Sequence, residues 1–406
     1  MISPLDNRSK PIVEPDGTFR NPFVTFSFPS FGKALRWMIC RKGPKFPSEK
    51  EAREMFPVST FQRELVYRCT ESAGTAAQGH QTHFRRNITA TWIGHATYLV
   101  QCNGVTVLTD PMFSDRASPI EFAGPKRFVP PAIPLQDLPF IDVVTVSHNH
   151  YDHLDYASVK FLAKQFNPIF VVPTGMKKWF ASWFQKEDLD LLRVREVGWW
   201  EHCDLFATEQ DLFNVFRREV TAGGTADGEV RVRVHGVPAQ HYSLRGLFDR
   251  YRQLWCGFVC DLFIPNEETR SSAPAYRRFY HSGDTGYCCA FKEIGEEYGP
   301  IDIALLPIGA YEPRDFMESQ HIGPFEAVEI HHDVRARHSL AMHWGTFLLT
   351  DEPLLAPPKL LKSALDAKFG KDSPLGKRFH VVAHGETVLF GDEELTDLPQ
   401  NAEKSS

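Results

Sequence analysis

Apolar and polar positions along this chain follow two periods, one of two residues and one near 3.6, and they switch repeatedly. Residues 140–146 (FIDVVTV) form a β-branched apolar run of the kind that makes a buried strand. Directly after them Val159, Leu162 and Phe166 recur at helical spacing, which predicts a helix over 156–166 with Asp155 at its N-cap. Further strands are expected at 169–173, 230–237, 279–283 and 339–342, and helices at 48–55, 176–185 and 324–334. Residues 88–109 read as strand, turn, strand, with Asn103-Gly104 marking the hairpin. The alternation runs to about Phe390 without a break in composition. One α/β domain over 86–392 is therefore expected, after an extension over 1–85 and before a polar tail over 393–406.

The extension is uneven. Residues 1–20 are polar and predicted to be poorly ordered, the tail from Gly391 is predicted to fray, and 71–81 reads as a linker. Between them, 21–41 mixes Phe23, Phe26, Phe28, Phe31 and Trp37 with Lys33, Arg36 and Arg41. Such a stretch either packs along the main domain or touches a membrane. The same choice arises at 176–185, where Trp179, Phe180, Trp183 and Phe184 stand beside Lys177 and Lys178. Residues 223–228 and 266–275 read as loops.

The polar positions that interrupt these runs carry the chemistry. After the strand at 140–146 comes S-H-N-H-Y-D-H-L-D, which places His148, His150, Asp152 and His153 within six residues. His148 and His150, two apart in extended backbone, project to one side and can share a metal, while Asp152 and His153 can reach a second. Imidazole with carboxylate suits zinc, and less selectively iron or manganese. Three more donors follow predicted strands: His241, Asp284 and His343. The assignment is His148, His150 and His241 on one metal and Asp152, His153 and His343 on the other, with Asp284 bridging. Asp110 and His95 are either partners that orient a ligand or ordinary strand-end polar residues. His281 alternates to a different side from Asp284, and His331 and His332 read as solvated or capping residues. His321 follows a loop and is a candidate substrate contact and proton donor.

Bulk properties narrow the class. A 406-residue chain that is 42% hydrophobic can bury a large core, and a net charge of −6 argues against a nucleic-acid partner. The eight cysteines form no C-x-x-C pair, which fits reduced thiols and a cytoplasmic setting. No signal-peptide core is present, and no run is long and apolar enough to span a bilayer.

H-N-H-Y-D-H is the motif of the metallo-β-lactamase superfamily. The strings FAGPKRF (122–128), SHNHYDHLDYASV (147–159), GDTGYC (283–288), PIGAYEPR (307–314) and MHWGTF (342–347) resemble its N-acylphosphatidylethanolamine-hydrolysing phospholipase D family. That resemblance implies a four-layer αβ/βα sandwich and two zinc ions per chain on His148, His150, Asp152, His153, His241, Asp284 and His343. It also implies substrate contacts from Tyr151 and His321, with Asp152, Asp284 and His321 as the catalytic groups. Cleavage of the phosphodiester to phosphatidic acid and an N-acylethanolamine, by water activated between the metals, is the activity it implies. A protein peripherally attached to membranes, taking a phospholipid at the bilayer surface and able to form a homodimer, completes the expectation. The chain departs from the family's pattern over 242–278, including the loop at 266–275. Two alternatives remain: hydrolysis of another phosphodiester or ester, and an idle membrane scaffold, which has no need of seven ligands.

Overall fold

The computed structural model describes residues 8–28, 30–41, 43–60, 62, 66, 87–206, 230–246, 248–264 and 275–395. The expected linker at 71–81, the loop at 223–228 and all but the last residue of 266–275 lie outside them. A short hairpin, β1 (Ile12–Val13) with β2 (Phe19–Arg20), precedes helices α1 (Phe31–Cys40) and α2 (Glu49–Met55). Ser48 starts α2 with a capping box, its hydroxyl accepting from the Glu51 amide while the Glu51 carboxylate accepts from the Ser48 amide.

Two seven-stranded sheets carry the rest, and both repeat one pattern. The first uses β3 (Ile88–Gly94), β4 (Thr97–Cys102), β5 (Val105–Thr109), β6 (Val143–Thr145), β7 (Ile169–Pro173) and β8 (Val194–Val197), with β16 (Thr387–Phe390) at its edge. Strands β16, β3, β4 and β5 pair antiparallel, then β5 to β8 run parallel. The second sheet uses β9 (His202–Phe206), β10 (Val230–Val237), β11 (Gly257–Ile264), β12 (Ala275–His281), β13 (Ile301–Pro307), β14 (Ala336–Met342) and β15 (Phe379–His380). Here β9 to β12 are antiparallel and β12 to β15 parallel.

Alternation along each strand decides which layer a side chain joins. Trp92, Tyr98, Val100, Val107 and Val171 point into the core shared with the second sheet. Ile93, Leu99, Leu108, Val144 and Val172 point the other way, against α3 (Tyr156–Gln165) and α4 (Lys177–Phe184). Between the sheets the Tyr98 hydroxyl donates to the Ala341 carbonyl at 2.9 Å and Trp92 stacks on Trp344. Helix α5 (Ala290–Tyr298), the short α6 (Arg314–Met317), α7 (Pro324–Asp333) and α8 (Ala356–Phe369) follow, with α5, α7 and α8 joining the core on the second sheet. The order helix, sheet, sheet, helix is the expected αβ/βα sandwich.

Several local expectations need correction. Residues 88–109 make three strands, because the backbone reverses at His95, whose φ is 56°. Asp155 sits at the N-cap of α3, but its carboxylate accepts from the Ser114 amide and hydroxyl and from the Ser158 hydroxyl, leaving no side-chain cap on a helix amide. Residues 8–20 are tied down: Ser9 bonds Glu293 of α5, and Trp200 Nε1 donates to the Ser9 carbonyl. The tail beyond Gly391 stays packed to Leu395, which is buried. In α4, Phe180 and Phe184 pack against Phe170 and the buried Trp183 packs on both of them, so this stripe is core and not a lipid-facing surface. His331 is buried against the Ser339 hydroxyl at 2.7 Å, neither solvated nor a cap.

Candidate metal centre and active site

All seven expected donors leave the carboxyl ends of strands on one rim of the sandwich. The loop after β6 brings four, with its turn closed by the Leu154 amide donating to the His150 carbonyl at 2.8 Å. His241 follows β10, Asp284 follows β12 and His343 follows β14. Non-glycine residues in the left-handed region crowd this rim: His95 (φ 56°), Asp110 (φ 36°), Ala310 (φ 63°) and His343 (φ 60°). Each costs backbone energy that surrounding contacts must offset, a common signature of functional sites.

The donors form two groups joined at one carboxylate. His148, His150, His241 and Asp284 have ligand atoms within 4.8 Å of one another, and so do Asp152, His153, His343 and His95. Asp284 also meets the second group, with Oδ1 3.0 Å from His343 Nε2 and Oδ2 3.1 Å from His153 Nε2. Asp284 thus stands between the two groups.

Hydrogen bonds on the far side of each ring settle its tautomer. A carboxylate only accepts, so His153 Nδ1 donates to Asp110 Oδ2 at 2.6 Å. Ser147 donates its hydroxyl to the same oxygen at 2.6 Å and therefore accepts from His148 Nδ1 at 2.9 Å. His241 Nδ1 donates to the Gln320 carbonyl at 3.0 Å. This leaves Nε2 of His148 and His241 as lone pairs aimed inward and turns Nε2 of His153 toward Asp284. His148 Nε2 and His241 Nε2 lie 2.9 and 3.2 Å from His150 Nδ1, and one N–H on His150 can bridge only one of those gaps. A cation satisfies both. Imidazoles with a shared carboxylate in each group fit zinc or a similar divalent ion.

Electrostatics agree. Burial, then the neighbouring imidazoles, pushes His148 and His241 well below the ordinary histidine range, so both stay neutral as metal binding requires. Burial would also lower His153 and His343, but the facing Asp284 and Asp152 carboxylates outweigh it; His343 rises to about 9. Those carboxyls are held well below their usual range by His153 and its neighbours, against burial that would raise them. Positive charge is therefore favoured between Asp152 and Asp284.

Asp110 is an orienting partner, and His95 stands within the second donor group. Asp110, fully buried, also accepts from the Ser147 amide at 2.7 Å, and His95 Nε2 contacts Asp152 Oδ2 at 3.0 Å. His281 is buried with Nε2 3.7 Å from Asp110 and belongs to neither donor group. His321 faces the centre, Nδ1 3.8 Å from Asp284 Oδ2. Tyr151 lies beneath the Arg245 guanidinium, 4.0 Å from its ring centre, while Arg245 Nη1 holds the Leu154 carbonyl at 2.7 Å.

A pocket of about 380 Å³ opens onto the centre. Its polar floor is His150, Asp152, Asp284 and His321, and its apolar wall includes Phe28, Trp37, Tyr242, Phe316 and Leu349. Tyr151 is not among its lining residues. Sequence reasoning missed Ser147, Gln240 and the pocket wall, because polar and aromatic residues at those positions carry no motif. It left 21–41 open; that stretch supplies both Phe28 and Trp37 to the wall.

Comparison with known proteins follows the same lines. Residues 105–344 match the model of the beta-lactamase superfamily domain. N-acyl-phosphatidylethanolamine-hydrolyzing phospholipase D 1 of Caenorhabditis elegans is 43% identical over 290 residues, covering 70% of this chain and 72% of that protein. The chain belongs to this phospholipase D family of the metallo-β-lactamase superfamily. It is a metal-dependent hydrolase. Another member of the family, the Saccharomyces cerevisiae N-acyl-phosphatidylethanolamine-hydrolyzing phospholipase D, mitochondrial, is 34% identical over 274 residues, which are 67% of this chain and 50% of that protein. This chain thus aligns with about half the length of the yeast protein. Among solved structures, isothiocyanate hydrolase from Delia radicum gut bacteria shares the fold at a TM-score of 0.51 and 18% identity, covering 75% of this chain and 99% of that one. Among the described residues no helix is long and apolar enough to cross a membrane.

Proposed function

We propose that this chain hydrolyses N-acylphosphatidylethanolamine to phosphatidic acid and an N-acylethanolamine, using two zinc ions. The observation that carries this reading is the junction of two unlike surfaces. The two donor groups meet a pocket, through His150, Asp152 and Asp284, that is also lined by Phe28, Trp37, Tyr242, Phe316 and Leu349. A phosphodiester flanked by aliphatic groups needs both. The names of the worm and yeast relatives support the choice of lipid.

Bound at these residues, the metals would neutralise charge on the phosphoryl oxygens and lower the pKa of a nearby water to about 7. The chain supplies the rest. Asp110 and Ser147 keep His153 and His148 in the tautomer that presents Nε2. Asp284 reaches both donor groups. His321, lining the pocket beside Asp284, is the group placed to take up or give a proton as the ester bond breaks. Tyr151, outside the pocket lining and under Arg245, would touch only a part of the substrate that extends beyond the pocket. The phospholipid is met at a membrane surface by a peripherally attached protein, which can act as a homodimer and has no nucleic-acid partner. The expected cytoplasmic setting is part of this proposal, and the yeast relative's mitochondrial name is the competing address.

Incubation of the purified protein with a panel of glycerophospholipids, with products identified by mass spectrometry, tests the substrate. Turnover in oxygen-18 water should place the label in phosphatidic acid. Added ethanol should give little phosphatidylethanol, because none of the chain's 17 histidines begins an H-x-K motif that would form a phosphoenzyme. Substantial transphosphatidylation would sink the direct-water route. Release of other alcohols in preference to N-acylethanolamine would favour a different diester.

A further inference from the structure

A stretch of the N-terminal extension is stitched across the two loops that present His241 and His321. The Thr25 hydroxyl donates to Gln240 Oε1 at 2.5 Å, and Gln240 Nε2 passes the link on to the Ser319 carbonyl at 2.9 Å. The Ser319 hydroxyl then donates back to the Ser27 carbonyl at 2.6 Å, closing a circuit from the extension through the core and out again. Four residues before Thr25, Asn21 Nδ2 donates to the His241 carbonyl at 2.6 Å. Gln240 and Ser319 are buried, so a lost partner there would leave a polar group unsatisfied away from water.

What these bonds hold is chemical. Gln240 is the residue before the ligand His241. Its backbone is already fixed on the Asp284 side, its amide donating to the Thr285 hydroxyl at 2.9 Å and its carbonyl accepting from the Gly286 amide at 2.8 Å. Ser319 is followed by Gln320, whose carbonyl sets the tautomer of His241, and then by His321. Moving 319–321 would therefore turn the His241 ring and shift His321 together.

We propose that residues 21–28 are part of the active site, with Asn21 and Thr25 acting as positioning residues for His241 and His321. The proposal rests on reading the donor cluster as a two-metal centre, but not on the identity of the lipid. Partners one step behind a metal ligand typically hold about 10- to 100-fold in affinity or activity.

The test uses the full chain and four variants. T25V removes the hydroxyl at nearly constant volume, T25S restores it, and S319A cuts the circuit at its other crossing. T18V, which loses only the exposed bond from Thr18 to Asp16 in the same extension, is the control. Metal-free protein is titrated with Zn²⁺ against a competing chelator. Its Co²⁺-loaded form is examined by visible spectroscopy, and kcat and KM are measured on the soluble diester bis(p-nitrophenyl) phosphate. T25V and S319A should each weaken one metal equivalent by about 10-fold or more, leave the other near wild type, and lower kcat more than they raise KM. The cobalt spectrum should change with them, T25S should restore both readouts, and T18V should match wild type. Wild-type affinity and spectrum in T25V and S319A overturn the proposal, as does equal weakening of both equivalents that T25S does not rescue. If T25V does not fold, S319A decides by the same criteria. A wild type that binds metal but does not cleave the lipid would remove the substrate assignment alone.

Discussion

The two sheets repeat one strand pattern yet deliver their donors in opposite ways. The first concentrates four of them on the single loop after β6, within six residues. The second spreads His241, Asp284 and His343 over the ends of three different strands, 43 and 59 residues apart (284 − 241 and 343 − 284). The first arrangement is held locally, by a tight turn and by Asp110 on the adjoining strand. The second exists only because β10 to β14 hold their register and the two sheets close on each other. A local cluster can lose one member and keep its shape, whereas a dispersed set depends on whatever brings its parts together. Asp284 is where the two meet.

The largest expected effect is therefore at that residue. Asp284→Asn should lower kcat by more than about 10³-fold, beyond the 10- to 100-fold typical of outer partners, and should loosen both metals in elemental analysis. A variant that keeps full metal and full activity would remove Asp284 from the centre and leave the sheets chemically independent.

A change at the seam between the sheets comes next. Gly283 has φ +59°, and a Cβ there would lie 2.6 Å from the Ser147 Cβ. Gly283→Ala should destabilise the fold by about 3 kcal/mol through overpacking and strain, read as a lower denaturation midpoint. A midpoint equal to wild type would mean that the sheets do not press together here.

The local arrangement is probed from behind. Asp110→Asn should weaken both metals by about 10- to 100-fold, since Asp110 orients His153 directly and His148 through Ser147. Ser147→Ala should affect only the metal held by His148. Identical titration curves for the two variants would break the proposed division of labour.

The smallest effect tests the second sheet away from the donors. Burial, with some help from His338 and His332, pushes His331 down to about 3. It sits behind β14, on the Ser339 hydroxyl. The unfolded chain takes up this proton near pH 6.5 and the folded one resists it, so the contribution is complete above pH 6.5 and is lost as pH falls toward 3. At pH 5 the loss is about 2 kcal/mol, and His331→Gln should shrink the drop in midpoint between pH 7 and pH 5. An unchanged drop would assign acid sensitivity elsewhere.

Much of this was legible in the residues. The helix over 156–166, the strands at 169–173 and 230–237 and the helix at 324–334 show clear periodicity and match α3, β7, β10 and α7 to within a residue or so. The sequence alone determined the donor-rich loop, because H-N-H-Y-D-H packs donors closer than any ordinary turn needs, and it placed His241, Asp284 and His343 at strand ends. Other features escaped it. Nothing in one-dimensional pattern reports a positive φ at His95 or shows that Ser147 joins two rings to one carboxylate. Nor does it reveal that Phe28 and Trp37 wall a pocket whose floor is more than 100 residues away in sequence. Periodicity records which face of an element is buried, not which other element covers it. Donor identity is written in the chain, while tautomer, distance and pocket shape arise only when two sheets built from separate stretches close on a common edge.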